Sequence, residues 1–184
     1  MNDILIRSAV IEDAQAIMEI YQPYILETAI TFEYDLISVE TFVERIITVQ
    51  KQFPWLVCEL EGKVVGYAYC SKFKERAAFA WDCECSVYLH KEAQNRGIAT
   101  ALYTKLFKYI RKQGYYNIYA LITYPNLGSE ALHKKFGFTN VGIYEKTGYK
   151  MGQWWDLLVM VKRLRTFEEE PVLPKSWNEL SDIE

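Results

Sequence analysis

Hydrophobic positions in the first half of the chain follow strand and helix periods in turn. Residues 4–7, Ile-Leu-Ile-Arg, predict a short first strand. Residues 12–24 carry apolar side chains at helical spacing, and a second helical pattern begins after Ser38, a residue type that caps helix N-termini. Two apolar runs, residues 55–60 and 64–69, flank a glycine-containing turn and predict a β-hairpin.

Strands and helices alternate in the second half of the chain. Residues 82–89 predict a strand, and the strongest amphipathic helix of the chain begins at Ile98 and stops at Gly114. Further on, the pattern predicts a strand over 118–123, a short helix over 129–136 and two closing strands over 138–144 and 154–162. The order β-α-α-β-β-β-α-β-α-β-β predicts an α/β protein with a mixed sheet and helices packed on it.

Composition places the chain among ordinary globular proteins. A length of 184 residues fits one domain, and 51% hydrophobic with 15% aromatic residues excludes a mainly disordered protein. The formal net charge of −3 argues against nucleic-acid binding through a general basic surface. No run approaches the roughly 18 apolar residues of a membrane span, and the N-terminus lacks a secretory signal. We therefore predict a cytoplasmic protein that binds neither nucleic acid nor membrane.

The cysteines and the C-terminal residues add two predictions. Four cysteines are too few for a disulfide framework and lack the spacing of a zinc site, so they are predicted to be reduced core residues, with no metal. Residues 165–184 contain six acidic residues, two prolines and few candidates for the core. We therefore predict one domain over 1–164, followed by an acidic surface tail over 165–184.

A turn of small and polar residues joins the strand at 82–89 to the strongest helix. Its sequence is Gln94-Asn95-Arg96-Gly97-Ile98-Ala99. Backbone N–H groups lack partners at a helix start, and the helix dipole adds about half a positive charge, so such a turn can bind a pyrophosphate. Gly97 and Ala99 let a ligand approach the backbone closely. The chain has neither a P-loop nor a three-glycine dinucleotide motif, and the alternative is an ordinary turn that starts with glycine.

Two motifs are similar to signatures of one superfamily. The turn at 94–99 fits the pattern Gln/Arg-x-x-Gly-x-Gly/Ala and resembles the acyl-CoA loop of the GNAT acyltransferases. Residues 131–138, Ala-Leu-His-Lys-Lys-Phe-Gly-Phe, resemble the second signature of that superfamily. Further segments narrow the resemblance to the phosphinothricin N-acetyltransferase family: Pro54-Trp55-Leu56-Val57, Gly66-Tyr67-Ala68-Tyr69, Ser86-Val87-Tyr88-Leu89, Pro125-Asn126, Leu132-His133 and Gly148-Tyr149-Lys150-Met151-Gly152-Gln153-Trp154.

The resemblance runs through nearly the whole chain and implies both a fold and an activity. The implied fold is the GNAT fold, a mixed, mostly antiparallel central sheet flanked by about four helices. The implied activity is transfer of an acetyl group from acetyl-CoA, without a metal, to the primary amine of a small amino-acid-like acceptor. Phosphinothricin, methionine sulfoximine and methionine sulfone are the candidate acceptors. Relatives are often homodimers with acceptor sites near the interface, so a homodimer is expected.

Glu84 is the candidate general base. Strand alternation places it on one face with Asp82, Ser86 and Tyr88. A carboxylate in a central strand must face a cavity or a partner, and burial raises its pKa toward neutrality. An amine must lose a proton before it attacks a thioester, which is the task of such a base. Glu84 also matches the family's proposed base, acting directly or through water; the alternative is a carboxylate on a solvated strand face.

The remaining candidates for the chemistry are expected to lie near the CoA arm. His133 stands where many superfamily members have Tyr and the phosphinothricin family has His; it could protonate the leaving thiolate, assist amine deprotonation, or be structural. Backbone N–H groups of Val87, Tyr88 and Leu89 could stabilise an oxyanion, and the resemblance places the pantetheine arm along them. Asn126 matches a family residue near the same arm and could also cap a helix.

Residues 72–76, Lys-Phe-Lys-Glu-Arg, form the one concentrated basic stretch before a core strand. Arg76 can pair bidentately with a carboxylate or a phosphinate, and in the family the aligned basic residue helps to bind the acceptor. The alternative is a solvated loop. The resemblance implies an acceptor site that comprises Phe32, Lys74, Arg76, Phe79 and Tyr88. Phe79 stands where relatives often carry Tyr, which leaves the identity of the acceptor open.

Three hypotheses of function follow from the sequence. The first is the acetylation of an amino-acid-like amine. The second keeps the fold but acetylates another small amine or a protein N-terminus, which an open peptide groove would favour. The third is an acyl-CoA-binding module without turnover, against which Glu84 and His133 argue.

Overall fold

A single sheet with helices on both faces organises the described part of the chain. A computed structural model describes residues 4–181. Its strands are β1 (Ile4–Ser8), β2 (Trp55–Leu60), β3 (Lys63–Lys72), β4 (Asp82–Leu89), β5 (Asn117–Tyr124), β6 (Thr139–Lys150) and β7 (Gln153–Arg163). Its α-helices are α1 (Ala14–Glu27), α2 (Val39–Gln50), α3 (Ile98–Gln113), α4 (Leu127–Lys135) and the four-residue α5 (Asn178–Ser181). Single 3₁₀ turns lie at Ile11–Asp13, Ala77–Phe79 and Lys91–Ala93.

The strands lie in the order β1-β2-β3-β4-β5-β7-β6. All neighbours are antiparallel except β4 and β5, which are parallel. This arrangement confirms the mixed, mostly antiparallel sheet and the α/β class. The parallel ladder pairs just three residues of each strand, Asp82–Glu84 with Asn117–Tyr119. Beyond Glu84 and Tyr119 the two strands separate, so the centre of the sheet opens into a gap.

Helices cover the two faces of the sheet unequally. On one face, α1 and α2 bury Ile17 and Ile46 against aromatic side chains of the first strands, such as Tyr67. On the other face, α3 buries Leu102 and Leu106 in the larger core cluster. The helical spacing of these side chains explains why the sequence pattern located the helices correctly.

Several element ends are set by local chemistry, as the sequence predicts. The side chain of Ser38 accepts a hydrogen bond from the Thr41 N–H at 3.2 Å and caps α2. Gly114 has a φ of 100° and ends α3 in the left-handed conformation that glycine favours. Strand β4 has the predicted bounds. These elements depend on neighbouring residues alone, which makes them readable from the sequence.

Other elements are longer than predicted. Helix α1 continues to Glu27, with Pro23 inside it, whereas the prediction ended at residue 24. Strand β6 continues to Lys150, six residues beyond the predicted end at 144, because it resumes pairing with β7 after a register shift between Tyr144 and Gly148. A bulge of this kind breaks the two-residue alternation on which the prediction depends.

The C-terminal segment is anchored to the body of the protein at Trp177. This side chain is 8% exposed, and its ring lies 4.9 Å from that of Tyr109 on α3. The backbone N–H of Trp177 donates to the Gln52 carbonyl at 3.1 Å, and the Gln113 side chain donates to the Lys175 carbonyl at 2.9 Å. Residues 165–170 are exposed, so the acidic tail combines a surface stretch with one core residue. The domain boundary after residue 164 stays a prediction.

Candidate active site

The gap between β4 and β5 connects the two faces of the sheet. Ser86 and Tyr88 line it from the face of α1, and Cys85 and His133 line it from the face of α3. Toward the start of α3 the gap widens into a cavity of about 390 Å³. The walls of this cavity include Val87, Leu89, Gln94, Asn95, Gly97, Ile98, Ala99 and Asn126. The structure thus brings most of the residues predicted to bind acetyl-CoA to one continuous cleft.

The wide end of the cleft is suited to an anion. Gly97 is the N-cap of α3, with a φ of 78°, and no side chain caps that helix. A Cβ atom at Gly97 would meet nothing within 4 Å, so a ligand can approach the backbone of this residue from solvent. Gln94, Asn95 and Arg96 are exposed around this N-terminus. Uncapped N–H groups, the helix dipole and a nearby guanidinium fit a pyrophosphate group. The side chain of Ile98 is buried, with 1% of the residue exposed, so Ile98 can contact a bound anion only through its backbone.

A second helix also begins at the cleft. The Oδ1 atom of Asn126 accepts a hydrogen bond from the Ser129 N–H at 3.1 Å and caps α4. Both residues line the cleft. Asn126 therefore fixes the start of α4 beside the place where the sequence put the CoA arm.

Tyr24 holds the strand at the mouth of the cleft, a role that the sequence did not reveal. Its hydroxyl donates to the Leu89 carbonyl at 2.7 Å and accepts from the Leu89 N–H at 3.3 Å. The Gln94 side chain also donates to this hydroxyl at 3.3 Å. The Leu89 N–H is thus engaged within the protein. Since backbone groups alternate along a strand, Val87 directs its N–H to the same side as Leu89, into the gap, while Tyr88 directs its own toward β3.

Glu84 lies where the parallel ladder ends. It is paired with Ser71 of β3 on one side and with Tyr119 of β5 on the other, and its side chain is half-buried. Burial raises the pKa of Glu84 to about 7, against the opposing effect of the positively charged Lys74. A carboxyl with this pKa exists in both protonation states at neutral pH. It can therefore take up a proton from an amine and release it again.

His133 lies on the opposite face of β4 and is 3% exposed. Its Nδ1 atom is 2.7 Å from the Ser129 carbonyl oxygen, which can only accept, so the hydrogen bond assigns the ring proton to Nδ1. Its Nε2 atom is 3.3 Å from the Tyr103 hydroxyl and 3.9 Å from the Cys85 sulfur. Burial lowers the pKa of His133. The imidazole is therefore neutral at pH 7 and separated from Glu84 by the backbone of β4.

The residues predicted to bind the acceptor fall into two groups. The charge of Lys74 lowers the pKa of Glu84, and Tyr88, four residues after Glu84 on β4, lies on the same face of the strand and lines the gap. Phe32 rests on Gly148, where a Cβ atom would come within 2.4 Å of its ring. Phe79 instead lines a separate cavity beside the C-terminal segment, and Arg76 is exposed at the start of the adjoining 3₁₀ turn.

The loop that carries Phe32 is held by a lysine that the sequence analysis did not single out. Lys150, at the end of β6, is 4% exposed, and its Nζ atom donates to the Thr31 carbonyl at 2.7 Å. Burial lowers the pKa of Lys150. This contact joins residues 119 positions apart in the chain, and only the folded structure shows it.

The described part of the chain contains neither a cluster of metal-ligating side chains nor a helix suited to cross a membrane. Within residues 4–181, no three His, Cys, Asp or Glu side chains lie close enough together to hold a metal ion. In the same range, none of the helices combines the length and the apolar character needed to cross a membrane.

Comparisons with known proteins agree with this architecture. The sequence profile of the acetyltransferase (GNAT) domain matches residues 6–159. A phosphinothricin N-acetyltransferase of Streptomyces viridochromogenes is 35% identical over 152 residues, which cover 83% of each chain. An L-methionine sulfoximine/L-methionine sulfone acetyltransferase of Salmonella typhimurium is 32% identical over 160 residues, covering 86% of this chain and 94% of the relative.

A solved structure extends the comparison to the fold. The GNAT superfamily phosphinothricin acetyltransferase of Sinorhizobium meliloti, in complex with acetyl-CoA, superposes with a TM-score of 0.88 at 32% identity. The match covers 96% of this chain and 99% of that one. On the strength of the profile, the relatives and the shared fold, the chain belongs to the GNAT acetyltransferase family and is an N-acetyltransferase.

Proposed function

We propose that this protein transfers the acetyl group of acetyl-CoA to the primary amine of a small amino-acid-like acceptor, of the phosphinothricin, methionine sulfoximine or methionine sulfone class. The observation that carries the proposal is Glu84, a half-buried carboxyl with a pKa of about 7 at the end of the β4–β5 ladder, next to the gap whose wide end suits a pyrophosphate. Relatives named for these acceptors support the choice.

The donor side of the site is built from backbone and small residues. Acetyl-CoA, when bound, supplies an activated acetyl thioester. The N-terminus of α3 with Arg96 would hold the pyrophosphate, since that helix is uncapped by any side chain. The Val87 N–H, directed into the gap, would orient the thioester carbonyl and stabilise negative charge on its oxygen. Asn126 would shape the gap from the start of α4.

Glu84 would prepare the acceptor. An amino acid carries an ammonium at neutral pH, and Glu84 in its ionised form takes one of its protons, which leaves a lone pair on nitrogen. The nitrogen then forms the C–N bond with the acetyl carbon as the C–S bond breaks, and its second excess proton passes to the departing thiolate, which leaves as the CoA thiol. Cys85, the cysteine on the gap, is buried, and burial raises the pKa of its thiol, so the direct transfer needs no cysteine intermediate.

Positive charge and aromatic rings would select the acceptor. Lys74 and Arg76 carry the charge that a carboxylate or phosphinate requires, and Phe32 and Tyr88 provide apolar walls. Phe79 would take part only if the 3₁₀ turn at Ala77–Phe79 turned its ring toward Glu84, because the ring now faces the neighbouring cavity. His133 we assign a positioning role, holding α4 and Tyr103 beside the gap.

We also propose that two copies of the chain form a homodimer through the edge of the sheet at β6. We further propose that the reaction takes place in the cytoplasm. Strand β6 forms that edge and exposes Val141, Ile143 and Tyr144, and β7 exposes Trp154 beside it. Exposed apolar side chains on an edge strand favour pairing with a second chain. Sedimentation equilibrium of the purified protein measures the assembly directly.

The test of the proposed function is release of the CoA thiol from acetyl-CoA in the presence of a panel of amines. The panel holds phosphinothricin, methionine sulfoximine, methionine sulfone, common amino acids, polyamines and short peptides. Turnover confined to the methionine-like acids, and weakened by Arg76→Gln, supports the acceptor class. Turnover confined to peptides or polyamines overturns it and leaves the family assignment intact. Lys91→Gln, on an exposed turn outside the predicted acceptor residues, is the matched charge control.

A further inference from the structure

The proposed reaction releases a proton that has to leave the site. An ammonium and an acetyl thioester give an amide, a thiol and one proton, because the ammonium loses two protons and the thiolate takes up one. Glu84 accepts a proton in each cycle and must pass it to solvent before the next cycle. A route from Glu84 to water is therefore part of the chemistry, and this inference rests on the proposed function.

A large cavity lies on the same face of the sheet as Glu84 and reaches its neighbours on β3 and β4, although Glu84 itself does not line it. It has a volume of about 710 Å³ and is lined by Ser71 and Asp82 together with Phe79, Leu173 and Pro174. The C-terminal segment thus forms one wall. Helix α2 contributes Thr48 and Val49 on another side, and Gln52 follows in the turn after that helix. The cavity is separate from the cleft between β4 and β5, whose walls share none of these residues.

Ser71 stands between Glu84 and this cavity. Ser71 and Glu84 are directly opposed across the antiparallel ladder of β3 and β4, so their side chains project from the same face, with Cβ atoms about 5 Å apart. Asp82 lies two residues before Glu84 on the same strand and face. Asp82 accepts a hydrogen bond from the Asn117 side chain at 2.8 Å, which fixes its carboxylate at the cavity wall.

Lys74, Tyr69 and Cys70 also lie near Glu84, but none of them lines this cavity. The charge of Lys74 lowers the pKa of Glu84. The Tyr69 hydroxyl interacts with Ser86, and burial raises the pKa of Tyr69 to about 12. The Cys70 and Cys85 thiols lie on the opposite face, and burial raises their pKa values. Ser71 differs from them because it lies directly opposite Glu84 and lines the cavity, and its hydroxyl can accept one proton while it donates another.

We propose that Ser71 is a positioning residue for proton release, linking Glu84 to water in the cavity behind it. The Glu84 O–H bond breaks as its proton passes to the Ser71 oxygen, directly or through one water. The Ser71 hydroxyl proton passes in the same step to cavity water, and Asp82 stabilises the resulting positive charge before the proton reaches solvent. Glu84 returns to its ionised form, and Ser71 ends the step as a neutral hydroxyl, because it has gained one proton and lost another.

The experiment compares Ser71→Ala, Ser71→Thr and Thr48→Val in the CoA-thiol assay, with an amine that the wild type acetylates. Ser71→Ala removes the relay hydroxyl, Ser71→Thr keeps it, and Thr48→Val removes a hydroxyl from an exposed position on the same cavity. We expect Ser71→Ala to lower kcat about tenfold, with an unchanged KM for acetyl-CoA and a larger solvent deuterium isotope effect on kcat. Ser71→Thr should restore most of kcat, and Thr48→Val should match the wild type.

Three results in the kcat values would overturn the inference, and a fourth would come from the isotope effect. They are an unchanged kcat in Ser71→Ala, a Ser71→Thr variant as slow as Ser71→Ala, and a Thr48→Val variant that is equally slow. An unaltered isotope effect alongside a lowered kcat would also contradict it, since a purely structural loss does not change the proton-transfer step. Failure of the wild type to acetylate any amine would instead overturn the proposed function, so the two failures are distinguishable.

Discussion

The two faces of β4 place an acid and a base in similar surroundings with opposite results. Glu84 is half-buried on one face, and His133 is buried against the other. Loss of water favours the neutral form of both groups. For the carboxyl this raises the pKa to about 7, into the range where it exchanges protons. For the imidazole it lowers the pKa, away from that range. Burial thus prepares one group for proton transfer and keeps the other neutral.

The largest effect is expected from Glu84→Gln. The amide cannot take a proton from the acceptor, so kcat/KM should fall by about 10² to 10⁴. The CoA-thiol assay measures this loss. Glu44→Gln, on the exposed face of α2, is the matched control and should retain wild-type activity. Equal activity of Glu84→Gln and the wild type would remove Glu84 from the mechanism.

The same variant should be more stable than the wild type at alkaline pH. The pKa of Glu84 is about 7 in the folded protein against an ordinary value of 4.5. The folded state therefore binds more protons between these values, and the stability of the wild type falls as the pH rises through this window. Glu84→Gln removes that loss. Its free energy of unfolding should exceed that of the wild type by roughly 2 kcal/mol above pH 7 and should equal it near pH 4. Thermal unfolding at both pH values measures the difference.

His133→Ala should separate structure from chemistry on the other face. The change removes the hydrogen bond to Ser129 and the ring contacts with Tyr103 and Phe138. We expect a loss of about 2–4 kcal/mol in the free energy of unfolding and a fall in kcat of less than tenfold. His133→Gln, which keeps a donor and an acceptor, should recover part of the stability. A His133→Gln variant that is as inactive as Glu84→Gln but fully stable would show that His133 takes part in the chemistry.

A smaller effect is expected at the anion end of the cleft. Gly97 and Gly62 have φ values of 78° and 76°, and a Cβ at either would meet nothing within 4 Å. Alanine should therefore cost about 1 kcal/mol of stability at both positions. Only Gly97→Ala places a methyl group beside the first turn of α3, so it alone should raise the KM for acetyl-CoA severalfold. The same KM in both variants would argue against pyrophosphate binding at this turn.

The sequence predicted the features that depend on neighbouring residues. The bounds of β4, the Ser38 cap and the end of α3 at Gly114 each follow from a short local pattern. The gathering of Asn126 and of residues 94–99, apart from Arg96, around one cleft followed from the family resemblance.

The features that the sequence did not predict depend on contacts between residues that are far apart in the chain. Periodicity places Glu84 on a face of β4, but only the packing of α4 shows that His133 lies across the strand from it. The engagement of Leu89 by Tyr24 joins positions 65 residues apart. Trp177 lies in an acidic tail, and its burial against Tyr109 has no local signal. The bulged pairing that extends β6 breaks the alternation by which strands are recognised.

The pH dependence of kcat/KM for the accepted amine tests the central claim most directly. Measured from about pH 5 to about pH 9, it should rise with pH through a midpoint of about 7, because only ionised Glu84 accepts a proton. The residual activity of Glu84→Gln should lack this transition. A midpoint near 4.5, or a transition near 7 that persists in Glu84→Gln, would contradict the assignment of Glu84 as the base.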